Sequence, residues 1–196
     1  ITAVPPELRG GYRGFWRAAD VLEFTSHGYD GYVFDEHMQK REFKGYRVDC
    51  ITDFGLEFLD QVQKDKPFFL TISHIEPHHQ NDRHCYEGPA GSKTRFQDFV
   101  LPADLQALPG NAAEMYPDYL GCCRSLDDNL GRVVDKLKAM GIWENTILIF
   151  ASDHGSHFMT RNRDAHLNGY DDYKRSCHDA CLHVPLVICG PGFEGG

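Results

Sequence analysis

Apolar residues along this chain group into helical stripes and short continuous runs. Residues 48–63 and 116–140 carry apolar side chains at helical spacing, which predicts two amphipathic helices. Three mostly apolar runs predict buried strands: FFLTIS at 68–73, TILIFA at 146–151 and VPLVIC at 184–189. Strand, helix, strand, loop, strand is the order of an α/β fold, so we expect a mostly parallel sheet flanked by helices.

The segments between these elements are less regular. Residues 1–20 read as a loop with a short helix, 31–34 as a short strand, and 173–181 as a short helix or turn. Two polar stretches, 80–114 and 156–172, are rich in turn-forming residues and predict long excursions with little regular structure. Loops of that length in a compact domain are usually functional or disordered.

Composition narrows the class of protein. With 196 residues, 41% hydrophobic and 25% charged, the chain suits one soluble domain or a large part of one. A net charge of −9 without a block of basic residues argues against nucleic-acid binding. No apolar run approaches the roughly 20 residues that span a bilayer. The sequence does not distinguish a cytoplasmic from a periplasmic location. The seven Cys form no C-x-x-C pair, so buried free thiols are expected.

Polar side chains cluster where two of the predicted strands end. The run at 68–73 leads into His74, Glu76, His78 and His79, and the run at 146–151 leads into Asp153 and His154. Ligands in open α/β sheets bind beyond the carboxyl ends of the strands, so this placement predicts a site. Gly155 would allow the sharp turn that brings Asp153 to the rim.

Each of these residues also has a simpler explanation. Asp153 is a good ligand for a hard cation and His154 could add a nitrogen ligand, but Asp153 could instead cap the turn after the strand, with His154 solvated. The histidine cluster could be a solvated loop. Lys174 and Arg175 could bind an oxyanion, or they could lie on a solvated helix face. The local sequence leaves these alternatives open.

Three segments, in order, resemble the sulfatase family of the alkaline phosphatase superfamily. They are PFFLTISHIEPHH at 67–79, the segment 125–155 that ends in ASDHG, and KRSCHDACLHVPLVICGPG at 174–192. The resemblance is clear over residues 46–192 and weak over 1–45. It implies an alkaline-phosphatase-like sulfatase core and hydrolysis of sulfate monoesters.

The resemblance also implies roles for individual residues. Asp153 and His154 would be metal ligands, most often for Ca²⁺ and sometimes for Mg²⁺ or Mn²⁺. His78 would protonate the leaving oxygen, and Lys174 would hold a sulfate oxygen. The neighbouring polar residues are expected to contact a sulfated small molecule or glycan: His74, Glu76, His79 and Arg175.

The family's nucleophile, a formylglycine made within C/S-x-P-x-R, has no matching motif in these residues. We therefore expect residues 1–196 to be part of a single sulfatase catalytic domain, without its N-terminal nucleophile segment and C-terminal subdomain. Alone the chain would be inactive, and its partner would be the missing remainder of its own domain. The alternatives are a phosphodiesterase or phosphonate monoester hydrolase of the same superfamily, or a non-catalytic metal-binding pseudoenzyme.

Overall fold

The N-terminal part of the chain forms a small antiparallel sheet. A computed structural model describes residues 1–108, 110–158, 173–174 and 176–195. The sheet contains β1 (Arg17–Ala18), β2 (Ser26–His27), β3 (Asp30–Asp35) and β4 (Lys40–Lys44). Strand β3 pairs with each of the other three. The sequence predicted only residues 31–34 here, because two partner strands are two residues long and β4 is mostly charged.

Two long helices confirm the helical periodicity, and several short turns of helix surround them. The long helices are α2 (Arg47–Gln61) and α5 (Ala112–Ala139). The short helices are α1 (Leu22–Thr25), α3 (Ser92–Arg95), α4 (Ala103–Gln106) and α6 (Asp179–Leu182), with 3₁₀ turns at Pro6–Leu8 and Trp143–Asn145. The polar excursion predicted at 80–114 therefore holds two short helices and the start of α5.

Helices α2 and α5 lie against each other through polar contacts. Asn129 donates to the Asp49 carboxylate at 2.7 Å, and Arg132 lies 2.5 Å from Asp53. The apolar stripe of α5 was predicted to be core packing. Most of it is only partly buried; the buried positions are instead mainly small or polar, at Ala112, Gly121, Cys122, Ser125, Asn129 and Leu137. The stripe thus has little of the described chain to pack against.

The strands near the predicted site differ from expectation in their pairing. Strand β5 (Leu148–Ala151) and strand β6 (Leu186–Cys189) form where the apolar runs predicted them, but they pair antiparallel, as do all strand pairs in the described ranges. The α/β class is confirmed; a parallel pair is not found in the part of the chain described. Residues 68–73 were predicted to be a strand but pair with no strand in the described ranges. An apolar run can predict burial, but a strand forms only where a second segment lies beside it.

One face of these extended segments is uncovered. Side chains at 68–73 alternate between partly buried and exposed, with Phe68 against Phe58 of α2 at 5.7 Å and Phe69 78% exposed. Ile149 is 61% exposed and Leu186 65% exposed. Burying one such side chain contributes roughly 1.5–3 kcal/mol. The exposed apolar faces therefore have the character of a sheet surface that another layer normally covers.

Two apolar clusters lie in the interior of the described chain. One joins Val33 and Phe43 of the small sheet to Ile51 of α2. The other joins Tyr86 to Phe158 and to the start of α5. Phe158 follows closely after the Asp153–His154 pair, so its burial anchors that segment. No helix in the described ranges is long and apolar enough to cross a bilayer.

Candidate active site

Backbone hydrogen bonds hold the segment after β5 against the segment before β6. The Gly155 N–H donates to the Cys181 carbonyl at 2.9 Å, and the His157 N–H donates to the Tyr173 carbonyl at 2.9 Å. The polar residues after β5, Asp153 and His154, therefore lie on the same surface as the segment before β6 that contains Lys174. This long-range pairing is what assembles the candidate site.

Gly155 is required here for a reason other than the one the sequence suggested. It does not adopt the left-handed conformation expected of a sharp turn. A Cβ at this position would instead collide with the carbonyl oxygen of Ala180. The missing side chain thus permits close approach of the two segments rather than a change of chain direction.

His154 is held in the tautomer that suits a metal ligand. Its Nδ1 lies 2.8 Å from the Gly155 carbonyl, which can only accept a hydrogen bond, so Nδ1 carries the proton. In the neutral ring Nε2 then keeps its lone pair, and this atom lies 3.8 Å from the Asp153 carboxylate. Metal-binding histidines usually donate their second N–H to a carbonyl or carboxylate in this way.

Asp153 lies at the rim, as predicted. Its side chain is 88% exposed, and its other carboxylate oxygen accepts the His154 backbone N–H at 2.9 Å. That local bond is the one expected of a turn cap, so capping and metal binding are compatible in this residue. A separation of 3.8 Å lets the carboxylate and Nε2 reach one ion at typical ligand distances of about 2.0–2.6 Å.

His78 and Lys174 meet directly. The Lys174 Nζ lies 2.9 Å from His78 Nε2, and the His78 ring lies 6.5 Å from the His154 ring. Burial, and then the Lys174 ammonium, lower the pKa of His78, so the imidazole is neutral and accepts from Lys174. The structure therefore brings together Asp153, His154, His78 and Lys174, four residues that the sequence predicted.

The other members of the histidine cluster point into the protein. His79 is 2% exposed, and its ring lies between Tyr86 and Tyr173 at 5.4 and 5.0 Å. His74 Nε2 lies 3.0 Å from the Thr52 hydroxyl on α2, and burial lowers the pKa of His74 to about 4. Both positions favour a supporting role over the substrate contact predicted for them.

Glu76 is also an interior residue. Its carboxylate accepts from Arg47 Nε at 2.8 Å, and the two side chains are 2% and 1% exposed. Arg47 also donates to the Ser26 hydroxyl at 3.0 Å, which ties β2 to the same point. A carboxylate engaged in this way is not presented to a substrate, so the geometry favours Glu76 as a support for the turn that carries His78.

Two residues of the site were not singled out from the sequence. Arg47 was hidden because its partner lies 29 residues away. Tyr173 directly precedes Lys174, and its hydroxyl lies 2.9 Å from His78 Nε2. An aromatic residue beside a candidate oxyanion-binding lysine was the only local signal for Tyr173.

The described residues do not form a complete metal site. Within the described ranges, no group of three or more His, Cys, Asp or Glu is placed to hold one ion. Asp153 and His154 supply two ligands of fitting chemistry. Arg175, for which a substrate contact was predicted, and residues 159–172, which belong to a predicted irregular excursion, lie outside the described residues.

Comparison with solved structures defines the fold. A putative sulfatase from Bacteroides fragilis matches with a TM-score of 0.77 at 19% identity, over 97% of this chain and 40% of that one. A second structure, described as a complex with its substrate D-glucosamine-2-N,6-O-disulfate, matches with a TM-score of 0.62 at 19% identity, over 94% of this chain and 51% of that one. The fold is the alkaline-phosphatase-like fold of sulfatases.

The sequence places the chain in a family. The sulfatase family model matches residues 8–194, and the chain belongs to the sulfatase family. An ulvan-active sulfatase of Formosa agariphila is 25% identical in an alignment of 205 positions, gaps included, that covers 97% of this chain and 35% of that protein. Arylsulfatase K of Homo sapiens is 33% identical over 78 residues, which cover 40% of this chain and 13% of that protein.

The chain thus spans about a third of the length of the ulvan-active sulfatase. Sulfatases generally use a metal ion and a formylglycine residue. The Asp153–His154 pair fits the first of these, and no C/S-x-P-x-R motif for the second occurs in the 196 residues.

Proposed function

We propose that the protein containing this chain is a sulfuric ester hydrolase that cleaves sulfate monoesters. The observation that supports it best is the contact of 2.9 Å between Lys174 Nζ and His78 Nε2, beside the Asp153–His154 pair. A cation, a proton-transfer group and two candidate metal ligands on one surface suit a reaction in which a tetrahedral anion loses an alcohol.

Lys174 and His78 have different roles in the proposed reaction. The Lys174 ammonium binds a sulfate oxygen and stabilises its charge as the ester bond breaks. His78 gives a proton to the leaving oxygen. The negative charge of a bound sulfate ester offsets the Lys174 charge, which favours the protonated imidazole that this step needs.

Asp153 and His154 would hold the divalent cation, for which Ca²⁺ is our first choice and Mg²⁺ or Mn²⁺ the alternatives. When bound, such an ion polarises the sulfate oxygens as a Lewis acid. The His154–Gly155 hydrogen bond keeps Nε2 directed at the Asp153 side. The remaining ligands and the formylglycine are proposed to lie in residues outside this chain.

The chain is proposed to be one part of a single catalytic domain. The uncovered apolar faces of β5, β6 and residues 68–73 support this idea, because the described residues leave Ile149 and Phe69 mostly exposed. Monomeric proteins rarely expose large contiguous apolar patches. The rest of the same domain is the partner proposed to cover these faces.

The substrate is proposed to be a sulfated glycan or a smaller sulfated molecule. Support comes from the names of two relatives, one active on ulvan and one bound to a disulfated glucosamine. Residues 80–114 and 156–172 are the proposed source of specificity. The first follows the run that leads to His78, and the second follows the Asp153–His154 pair after β5.

The test is sulfate release by the complete protein, measured on sulfated monosaccharides and an aryl sulfate beside matched phosphate monoesters and diesters. We expect turnover of a sulfate ester, dependent on a divalent cation. Faster turnover of the phosphate esters would instead favour a phosphodiesterase of the same superfamily. Cation binding without turnover of any ester would favour a pseudoenzyme.

A further inference from the structure

We propose that the hydroxyl of Tyr173 is a positioning group that holds the His78 imidazole beside Lys174. The hydroxyl lies 2.9 Å from His78 Nε2, the same ring atom that Lys174 approaches. The two rings meet edge to face, with centroids 5.8 Å apart. The effect on catalysis rests on the proposed function; the hydrogen bond does not.

Tyr173 is itself firmly held. The residue is 5% exposed, its carbonyl accepts the His157 N–H at 2.9 Å, and its ring lies 5.0 Å from the His79 ring. The Cys181 thiol lies 3.7 Å from the same carbonyl. A side chain packed in this way can fix the orientation of a neighbour, since it has little freedom of its own.

The hydrogen-bonding chemistry of the Tyr173 hydroxyl differs from that of the Lys174 ammonium, and both groups face His78 Nε2. An ammonium only donates hydrogen bonds, whereas a phenol hydroxyl both donates and accepts. When Nε2 offers its single lone pair, Tyr173 and Lys174 share it as donors; when Nε2 carries a proton, the Tyr173 oxygen can accept its hydrogen bond. Lys174 can bond Nε2 only in the first case. A group able to serve both states keeps the ring in one orientation throughout a proton transfer.

The experiment compares Tyr173→Phe with Tyr46→Phe in the complete protein. Tyr46 is 6% exposed, and its hydroxyl donates to the Glu87 carbonyl at 2.8 Å and contacts the Cys122 thiol at 3.6 Å. Each variant therefore loses the hydrogen bonds of one buried hydroxyl. The first readout is the His78 Nε2 resonance in protein labelled with ¹⁵N-histidine, identified with His78→Gln. We expect it to move in Tyr173→Phe and to stay in place in Tyr46→Phe.

The second readout is kinetic. Tyr173→Phe should lower kcat about 10-fold or more with little change in KM, because misoriented catalytic groups cost rate rather than ground-state binding. Tyr46→Phe should leave both constants near the unaltered values. An unmoved Nε2 resonance in folded Tyr173→Phe, or an unchanged kcat in an active enzyme, overturns the inference.

A further measurement needs no substitution. In the unaltered protein, ring centroids 5.8 Å apart predict a nuclear Overhauser contact between the ring protons of Tyr173 and His78. Its absence would overturn the proposal even if Tyr173→Phe failed to fold. If the contact and the resonance shift are seen but no sulfate ester is cleaved, the positioning stands and the proposed function is the part that fails.

Discussion

Arg47, the first residue of α2, and Glu76, in the turn before His78, form an ion pair of 2.8 Å that is almost completely buried. Burial raises the pKa of Glu76 above its ordinary value although the Arg47 guanidinium opposes this. The pair connects the helix layer to the turn that presents His78. Its integrity should therefore matter to stability first and to activity through the position of His78.

Removing one member of this pair should be costly. Arg47→Met leaves a buried carboxylate without its cation, and we expect the free energy of unfolding to fall by about 3–5 kcal/mol. Urea denaturation of the complete protein measures it. Arg124→Met, which removes one partner of the exposed pair with Asp128, is the control and should change stability little. Equal effects of the two substitutions would contradict the role given to the buried pair.

Lys174 and His78 should each be needed for turnover. Lys174→Ala removes the proposed oxyanion contact and His78→Ala the proposed proton donor, and each should lower kcat/KM about 10²-fold or more. Steady-state assays on the best sulfate ester measure the loss. Lys66→Ala, at an exposed lysine that precedes the run at 68–73, should behave like the unaltered enzyme. Activity within about twofold of normal in either site variant would refute its assigned role.

Asp153 should contribute to cation binding. Asp153→Asn keeps the size of the side chain but removes its charge, so cation affinity should fall about 10-fold or more, a loss that even outer-shell changes can cause. The rise of the melting temperature with added Ca²⁺, Mg²⁺ or Mn²⁺ reports the affinity. Asp179→Asn changes a carboxylate that is 93% exposed in the nearby α6 and should leave the cation response intact.

His74 should make stability fall in mild acid. Its pKa is about 4 in the folded protein against an ordinary value of 6.5, so the unfolded chain binds the proton more readily. Stability is complete above pH 6.5 and declines as the pH falls towards 4, by at most about 3 kcal/mol. Unfolding free energies at pH 7.5 and pH 5 should differ less in His74→Gln. In His183→Gln, where the ring is 84% exposed, the difference should persist.

The exposed face of β5 offers a test of domain completion. Ile149 is 61% exposed in this chain, but the proposal buries it against the rest of the domain. Ile149→Asp should then destabilise the complete protein by about 2 kcal/mol or more. Met38→Asp, at the tip of the β3–β4 hairpin, should be nearly neutral. An Ile149→Asp protein as stable as the control would show that this face stays in water.

Much of the candidate site could be predicted from the sequence, because its residues lie beside apolar runs and within the segments that resemble the sulfatase family. Asp153 and His154 directly follow an apolar run, and Lys174 lies in the segment that leads to the next one. The helical stripes likewise predicted α2 and α5, since a period of 3.6 residues is a property of neighbouring positions. The prediction that the apolar stripe of α5 is buried was wrong for most of its positions. Burial depends on which other segments cover the helix, and the local sequence does not contain that information.

The sequence alone identified the family, through the resemblance of three segments to sulfatases, as well as the α/β class and the choice of the four residues that form the candidate site. Tertiary structure decided how they are held: the antiparallel pairing of β5 with β6, the burial of Glu76 on Arg47, and the contact of Tyr173 with His78 across 95 positions of sequence. The physical reason is that a pattern along the chain records each residue's own preference for water or burial. A hydrogen bond between distant segments exists only after the whole fold has brought its donor and acceptor together.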